Sequence, residues 1–163
     1  MFELMARPEP LHHFPKKMSG FFHAAVQRIV HKHEGDASRI WSGRTSSAQV
    51  VRRFLEFDGV GPKIASMAAQ ILAIDFEVPF SDHDAIDISV DRHVQRVFGR
   101  LGLCRPDAGR EEIALKAREL HPEFPGFLDG PIWEIGRSWC KPHDPACHAC
   151  PMRDLCPSAA ATR

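Results

Sequence analysis

The chain carries no excess charge of either sign: Lys and Arg number 21, and so do Asp and Glu, across 163 residues. Such a balance excludes attachment to nucleic acid through net charge, so any affinity of that kind has to come from a local patch. No stretch approaches eighteen uninterrupted apolar residues, and the opening MFELMARPEPLHHFPKK lacks the apolar centre of a signal peptide. The reading is therefore of a soluble, cytoplasmic chain that does not enter a membrane. Strand-like alternation between turn signals is missing, as are internal repeats. At this length one domain buries a sufficient core without covalent staples, so disulfides are not required. In a reducing compartment, clustered cysteines then point to metal or redox chemistry.

What the sequence does have is helical periodicity. Phe22, Ala25, Val26, Ile29 and Val30 share one face, and Val50, Val51, Phe54 and Leu55 begin another. Ile64, Met67, Ala68, Ile71 and Leu72 follow the full i, i+3, i+4, i+7, i+8 template. Val90, Val94, Val97, Phe98 and Leu101 form a fourth stripe, and Leu128, Ile132, Ile135 and Trp139 a fifth, with a weaker helical stretch over residues 110–120 between them. Each stripe is the side that an amphipathic helix turns to its core. The prediction is an all-α domain over residues 1–139, an irregular cysteine loop over 140–157 and a frayed tail over 158–163.

Between Asp75 and Asp91, DFEVPFSDHDAIDISVD holds six acidic residues and no Lys or Arg. It reads as a solvated surface loop. A cation site of Asp82, Asp84 and Asp87 is the alternative, without the glycine and glutamate of a calcium loop. His12, His13, His31 and His33 show no ligand spacing and read as surface residues, while Trp133 and Trp139 read as packing residues.

Four of the five cysteines fall in SWCKPHDPACHACPMRDLCP, as Cys140, Cys147, Cys150 and Cys156 in the pattern C-x6-C-x2-C-x5-C. Short gaps let one loop wrap a metal centre, and the interspersed prolines limit its freedom. Zinc and an iron-sulfur cluster both accept four thiolates. Zinc ribbons pair two C-x2-4-C knuckles, and here only Cys147 and Cys150 form one, so the uneven spacing favours iron and sulfur over zinc. Cys104 stands apart and reads as a small core residue.

The stretch FLEFDGVGPKIASMAAQIL ends one helix, turns through Gly59-Val60-Gly61 and starts another at Pro62, a residue suited to the first helical position. Backbone amides at this turn and the helix dipole form a ready phosphate site. Residues 37–66 carry five basic residues, Arg39, Arg44, Arg52, Arg53 and Lys63, against two acidic ones. Lys63 lies in the first helical turn, where the dipole disfavours a second cation and so favours a nucleophilic amine. Asp91, before an apolar-periodic helix, is placed as an N-cap.

GVGPK, then VDRHVQRVFGRLGL, then the closing cysteine loop, in that order, resembles the helix-hairpin-helix DNA glycosylase superfamily. The likeness is to its endonuclease III branch with a 4Fe-4S cluster, and it covers roughly residues 14–156. The resemblance implies a base-excision DNA glycosylase with abasic-site lyase activity, acting on double-stranded DNA with a damaged base or abasic site. The alternatives are a non-catalytic or impaired DNA-binding iron-sulfur protein of the same fold and a zinc-stabilised helical interaction module, and the chain is read as a monomer. On the resemblance, Lys63 matches the Schiff-base nucleophile and Asp91 the assisting aspartate. Cys140, Cys147, Cys150 and Cys156 match the 4Fe-4S ligands, with zinc the alternative metal. Gly59, Val60, Gly61, Lys63, Arg52, Arg53 and Lys141 are the expected DNA contacts. Family members commonly have more helices ahead of the hairpin, so the chain reads as N-terminally shortened. It departs from the family at Asp58, where a proline is common, and in the length of the acidic segment.

Overall fold

Helix boundaries fall where the sequence supplies caps and prolines. The computed structural model describes residues 2–6 and 8–160, which contain helices and turns but no strand. Helix α1 (Phe2–Ala6) precedes α2 (Pro15–Lys32), which opens on a proline at its first turn. Helix α3 (Ser47–Leu55) opens on a reciprocal capping box: Gln49 donates its amide to Ser46 Oγ, and the Gln49 side chain accepts from the Ser46 amide. Helix α4 (Pro62–Ile74) follows the glycine turn, and α5 (Arg92–Arg100) is capped by Asp91. Helices α6 (Arg110–Leu120), α7 (Asp129–Ser138) and the short α8 (Pro157–Ala160) complete the order. None of the helices among the described residues is long and apolar enough to cross a membrane.

Two apolar clusters hold the fold. Val50, Ala69, Leu72, Phe80 and Ile86 form one around α3 and α4. The larger one joins α5, α6 and α7 through Val94, Val97, Phe98, Ile113, Ala117, Ile132 and Ile135. The acidic segment runs between them and contributes to both, Phe80 and Ile86 to the first, Ile88 and Val90 to the second. It is therefore structural connective, not the solvated loop expected. Its acids are also engaged: Asp82 accepts the Ser47 amide at 3.0 Å as well as the Ser47 hydroxyl. Asp87 receives both Nε and Nη2 of Arg118 at 2.7 Å. No three acidic, histidine or cysteine side chains among the described residues gather around a metal-ion position, so Asp82, Asp84 and Asp87 form no cation site.

Two of the apolar stripes point the other way from expectation. On α4, Ala65, Ala69 and Leu72 are buried, whereas Ile64, Met67 and Ile71 are exposed. This helix is apolar nearly all round, and the small side chains win the buried face because they let α3 approach closely. Phe22, Val26 and Val30 of α2 are likewise exposed. His33, expected at the surface, is buried at the end of α2 with its ring stacked on Phe57. The expected tail is ordered through residue 160: Ser158 donates its hydroxyl to the Arg100 carbonyl at 2.9 Å and Ala159 is buried. Residues 161–163 lie outside the described residues.

Candidate functional site

The hairpin needs glycine at one of its two positions. Gly59 has φ of +81°, and a Cβ there would fall on the Phe21 ring, 2.6 Å from Cε2. At Gly61 φ is −96° and nothing lies within 4 Å of a would-be Cβ. No contact within the protein accounts for glycine at position 61. Gly61 is the N-cap of α4 and offers no side-chain oxygen to the first-turn amides, so these remain available to an outside acceptor.

Lys63, in that first turn, lines a cleft whose walls come from α4, residues 89–91 before α5 and the start of α7. Asp91 lines the same cleft, so the structure brings together the two residues that sequence placed 28 positions apart. Asp91 Oδ1 accepts the amides of His93 at 2.8 Å and Val94 at 3.0 Å, which fixes its carboxylate at the head of α5. Met67, Ile71 and Ile74 give the cleft an apolar wall, and its volume of about 600 Å³ admits a group the size of a nucleobase with part of its sugar.

Four further cleft residues were not singled out from sequence: Gln70, Ser89, Asp129 and Trp133. Asp129 is 8% exposed and its Oδ2 accepts the Ser89 amide at 3.2 Å. Burial pushes its carboxyl above the ordinary aspartate range, Asp91 adds to the rise, and Ser89 and Lys63 oppose it. Ser89, itself buried, donates its hydroxyl to the Lys63 carbonyl at 3.4 Å. Trp133, expected among packing residues, stands 39% exposed in the cleft, with the Arg137 guanidinium 5.0 Å from its ring centroid. An acid opening an apolar helix, as in DGPIW, was the available signal for Asp129, and on sequence alone it is indistinguishable from a helix-dipole residue.

The basic residues divide. Arg52 is exposed and 3.7 Å from Glu56. The same Glu56 also pairs with Arg28 and Lys32 of α2, whose hydrogen bonds, Lys32 first, hold its carboxyl below the usual range. Arg53 turns inward, its Nη1 donating to the Ile40 carbonyl at 2.9 Å. Lys141 is exposed at the start of the cysteine loop.

Cys140, Cys147, Cys150 and Cys156 all line one cavity of about 280 Å³ whose walls include Val97, Leu101, Ile135, Trp139 and Met152. None of the four is in a disulfide. They ring a space and do not meet at one point. Two arginines of α5, also missed from sequence, fasten the loop. Arg96 Nε donates to the Cys140 carbonyl at 2.6 Å and its Nη2 to the Gly136 carbonyl at 2.9 Å. Arg100 reaches the Lys141 carbonyl at 2.7 Å, the Pro142 carbonyl at 3.1 Å and Cys140 Sγ at 3.4 Å. One helix thus carries Asp91 at its head and anchors the cysteine loop along its flank. Cys104 packs against the larger core, where burial raises its thiol above the ordinary range.

No family model matches the chain. It is 32% identical to endonuclease III of Thermotoga maritima over 156 residues, covering 93% of this chain and 64% of that protein. Endonuclease III of Bacillus subtilis is 33% identical over 103 residues, 63% of this chain and 42% of its own length. Among solved structures, the chain superposes on a trapped endonuclease III–DNA covalent intermediate with TM-score 0.63 at 24% identity, over 92% of this chain and 62% of that one. A non-covalent endonuclease III–DNA complex gives TM-score 0.57 at 26% identity, over 83% of this chain and 55% of that one. The chain thus spans less than two thirds of the length of each of these proteins. It is related over nearly its whole length to proteins named endonuclease III and shares their helical fold.

Proposed function

We propose that this protein is a base-excision DNA repair glycosylase with abasic-site lyase activity, in which Lys63 is the Schiff-base nucleophile and Asp91 its assisting carboxylate. The observation that carries the reading is that both residues line one cleft, beside the uncapped start of α4. Duplex DNA is gripped at the hairpin by the amides of Gly59 and Gly61 and by Arg52, with Lys141 reaching a phosphate from the cysteine loop; the Val60 amide, expected among these contacts, is instead donated to the Phe57 carbonyl at 3.0 Å. A damaged nucleotide, costing a few kcal/mol to extrude, enters the cleft between Trp133 and the α4 wall. Asp91 takes a proton from the Lys63 ammonium and, after passing it to the departing base, offsets as a carboxylate the positive charge on the sugar. The freed amine attacks C1′ and the base departs with the proton that Asp91 returns; the C1′–O4′ bond then opens as the Lys63 nitrogen lone pair forms the imine, which acidifies the C2′ hydrogen so that β-elimination breaks the strand.

Cys140, Cys147, Cys150 and Cys156 fit a 4Fe-4S cluster better than zinc. Thiols ringing an apolar cavity suit a cluster whose own atoms occupy the space between them, whereas a single zinc ion draws its sulfurs to about 2.3 Å of one point. When bound, the cluster ties the loop to α5 and α7 and so holds Lys141 in place. The Arg100 guanidinium donates to Cys140 Sγ at 3.4 Å and helps to position that sulfur.

The test is borohydride trapping on a duplex containing an abasic site. Wild-type protein forms a covalent adduct and Lys63→Ala does not. Protein that binds the duplex but forms no adduct is a DNA-binding relative without this chemistry.

A further inference from the structure

Asp129 is a buried carboxyl that the mechanism above does not use. It lies at the first turn of α7, and three features place it in the chemistry. It lines the cleft that holds Lys63 and Asp91. Its Oδ2 is held by the Ser89 amide, and the Ser89 hydroxyl is bonded to the Lys63 carbonyl, so one serine ties the carboxyl to the backbone of the nucleophile. It also feels the charges of both Asp91 and Lys63.

Two carboxyls beside one amine invite a division of labour. Asp91 is held at the head of α5 by two amides that donate to a single oxygen. Asp129 receives one amide and is otherwise enclosed by protein, and burial, followed by the Asp91 charge, raises its affinity for a proton above that of an ordinary aspartate. Pairs of acids whose environments separate them in this way serve as base and acid. The titratable groups facing the cleft are Lys63 of α4, Asp75 at its C-cap, Asp91 before α5 and Asp129 itself.

Resting on the reading of Lys63 as nucleophile, we infer that Asp129 is the proton donor for imine formation at the abasic site. Addition of the Lys63 amine to the C1′ aldehyde gives a carbinolamine. Asp129 transfers its proton to the C1′ hydroxyl, and the C1′–O bond breaks with its electron pair leaving on oxygen as water. The Lys63 Nζ lone pair closes the C=N bond, leaving an iminium ion and an Asp129 carboxylate, which takes up a proton from solvent before the next cycle. The same residue meets any substrate that reaches the carbinolamine, so its action is independent of which damaged base was removed.

The experiment is the single-turnover rate of borohydride trapping on an abasic-site duplex, measured across pH for wild type, Asp129→Asn, Asp129→Glu and Lys63→Ala. Asparagine keeps an oxygen for the Ser89 amide but has no acidic proton, so it separates the structural bond from the chemical role. The wild-type rate is expected to fall at high pH as Asp129 ionises. D129N is expected to trap at least about ten-fold more slowly near neutral pH and to lack that falling limb. D129E is expected to recover part of the rate, with the limb displaced. A Lys63-dependent adduct whose rate and profile are unchanged in both D129N and D129E overturns the role of Asp129 while leaving the nucleophile in place. Wild-type protein that forms no Lys63-dependent adduct at any pH overturns both.

Discussion

Substituting alanine for the two hairpin glycines should separate folding from DNA binding. At Gly59, alanine faces two costs. Its φ of +81° is left-handed backbone, worth about 1 kcal/mol against a residue with a Cβ. The new Cβ also falls on the Phe21 ring, and overpacking of this kind costs about 1–3 kcal/mol as the ring is displaced. Together these give roughly 2–4 kcal/mol, or a fall in Tm of roughly 5–15 °C for a domain of this size. At Gly61 the backbone is extended and the space around the new methyl is open, so alanine meets no clash, and as a poorer N-cap it costs at most about 1 kcal/mol. The proposed phosphate contact lies on that open side, and Gly61→Ala should weaken binding to duplex DNA several-fold. Thermal melts and fluorescence-anisotropy titrations on both variants check this. Equal Tm losses, or a Gly61→Ala variant that binds like wild type, would refute the assignment of one glycine to the fold and the other to DNA.

Other outcomes are equally specific. Purified under anaerobic conditions, the protein should contain about four iron atoms per chain with broad visible absorption and little zinc; Cys147→Ser should lose both. Arg100→Ala removes the bonds to the Lys141 and Pro142 carbonyls and the contact with Cys140, so iron should be lost faster to a chelator while the far-ultraviolet dichroism is kept. Asp82→Ala leaves the Ser47 amide and hydroxyl without their acceptor and should cost about 1–2 kcal/mol in chemical denaturation. The raised proton affinity of Asp129 means that its neutral form favours the fold. That contribution is complete below the unfolded carboxyl range and fades as pH rises through the higher native value. The Tm of Asp129→Asn relative to wild type should therefore climb with pH across that interval.

The grouping of the candidate site residues was more legible in the sequence than the packing. Cysteine spacing, the glycine turn and an aspartate before an apolar helix are local patterns, and the structure gathers the four cysteines around one cavity and sets Lys63 and Asp91 in one cleft. The α5 and α7 stripes were readable because charged residues mark their outer faces. On α4 that marker is missing: large apolar residues line one side and small ones the other, and periodicity cannot rank them. The burial of Ile86 and Ile88 inside an acid-rich segment was hidden for a related reason, since composition averages over residues that alternate between core and surface. Asp129, Trp133, Arg96 and Arg100 were out of reach because each acts across the fold, on partners from 40 to 44 residues away or in a cleft built by several elements.

The central claim is that Lys63 is the residue that becomes joined to DNA. Mass-spectrometric mapping of the borohydride-reduced adduct tests it most directly. The account predicts a single modified peptide containing Lys63, with the deoxyribose remnant on its side chain. Attachment at another lysine or at the N-terminal amine, with Lys63 unmodified, would contradict it.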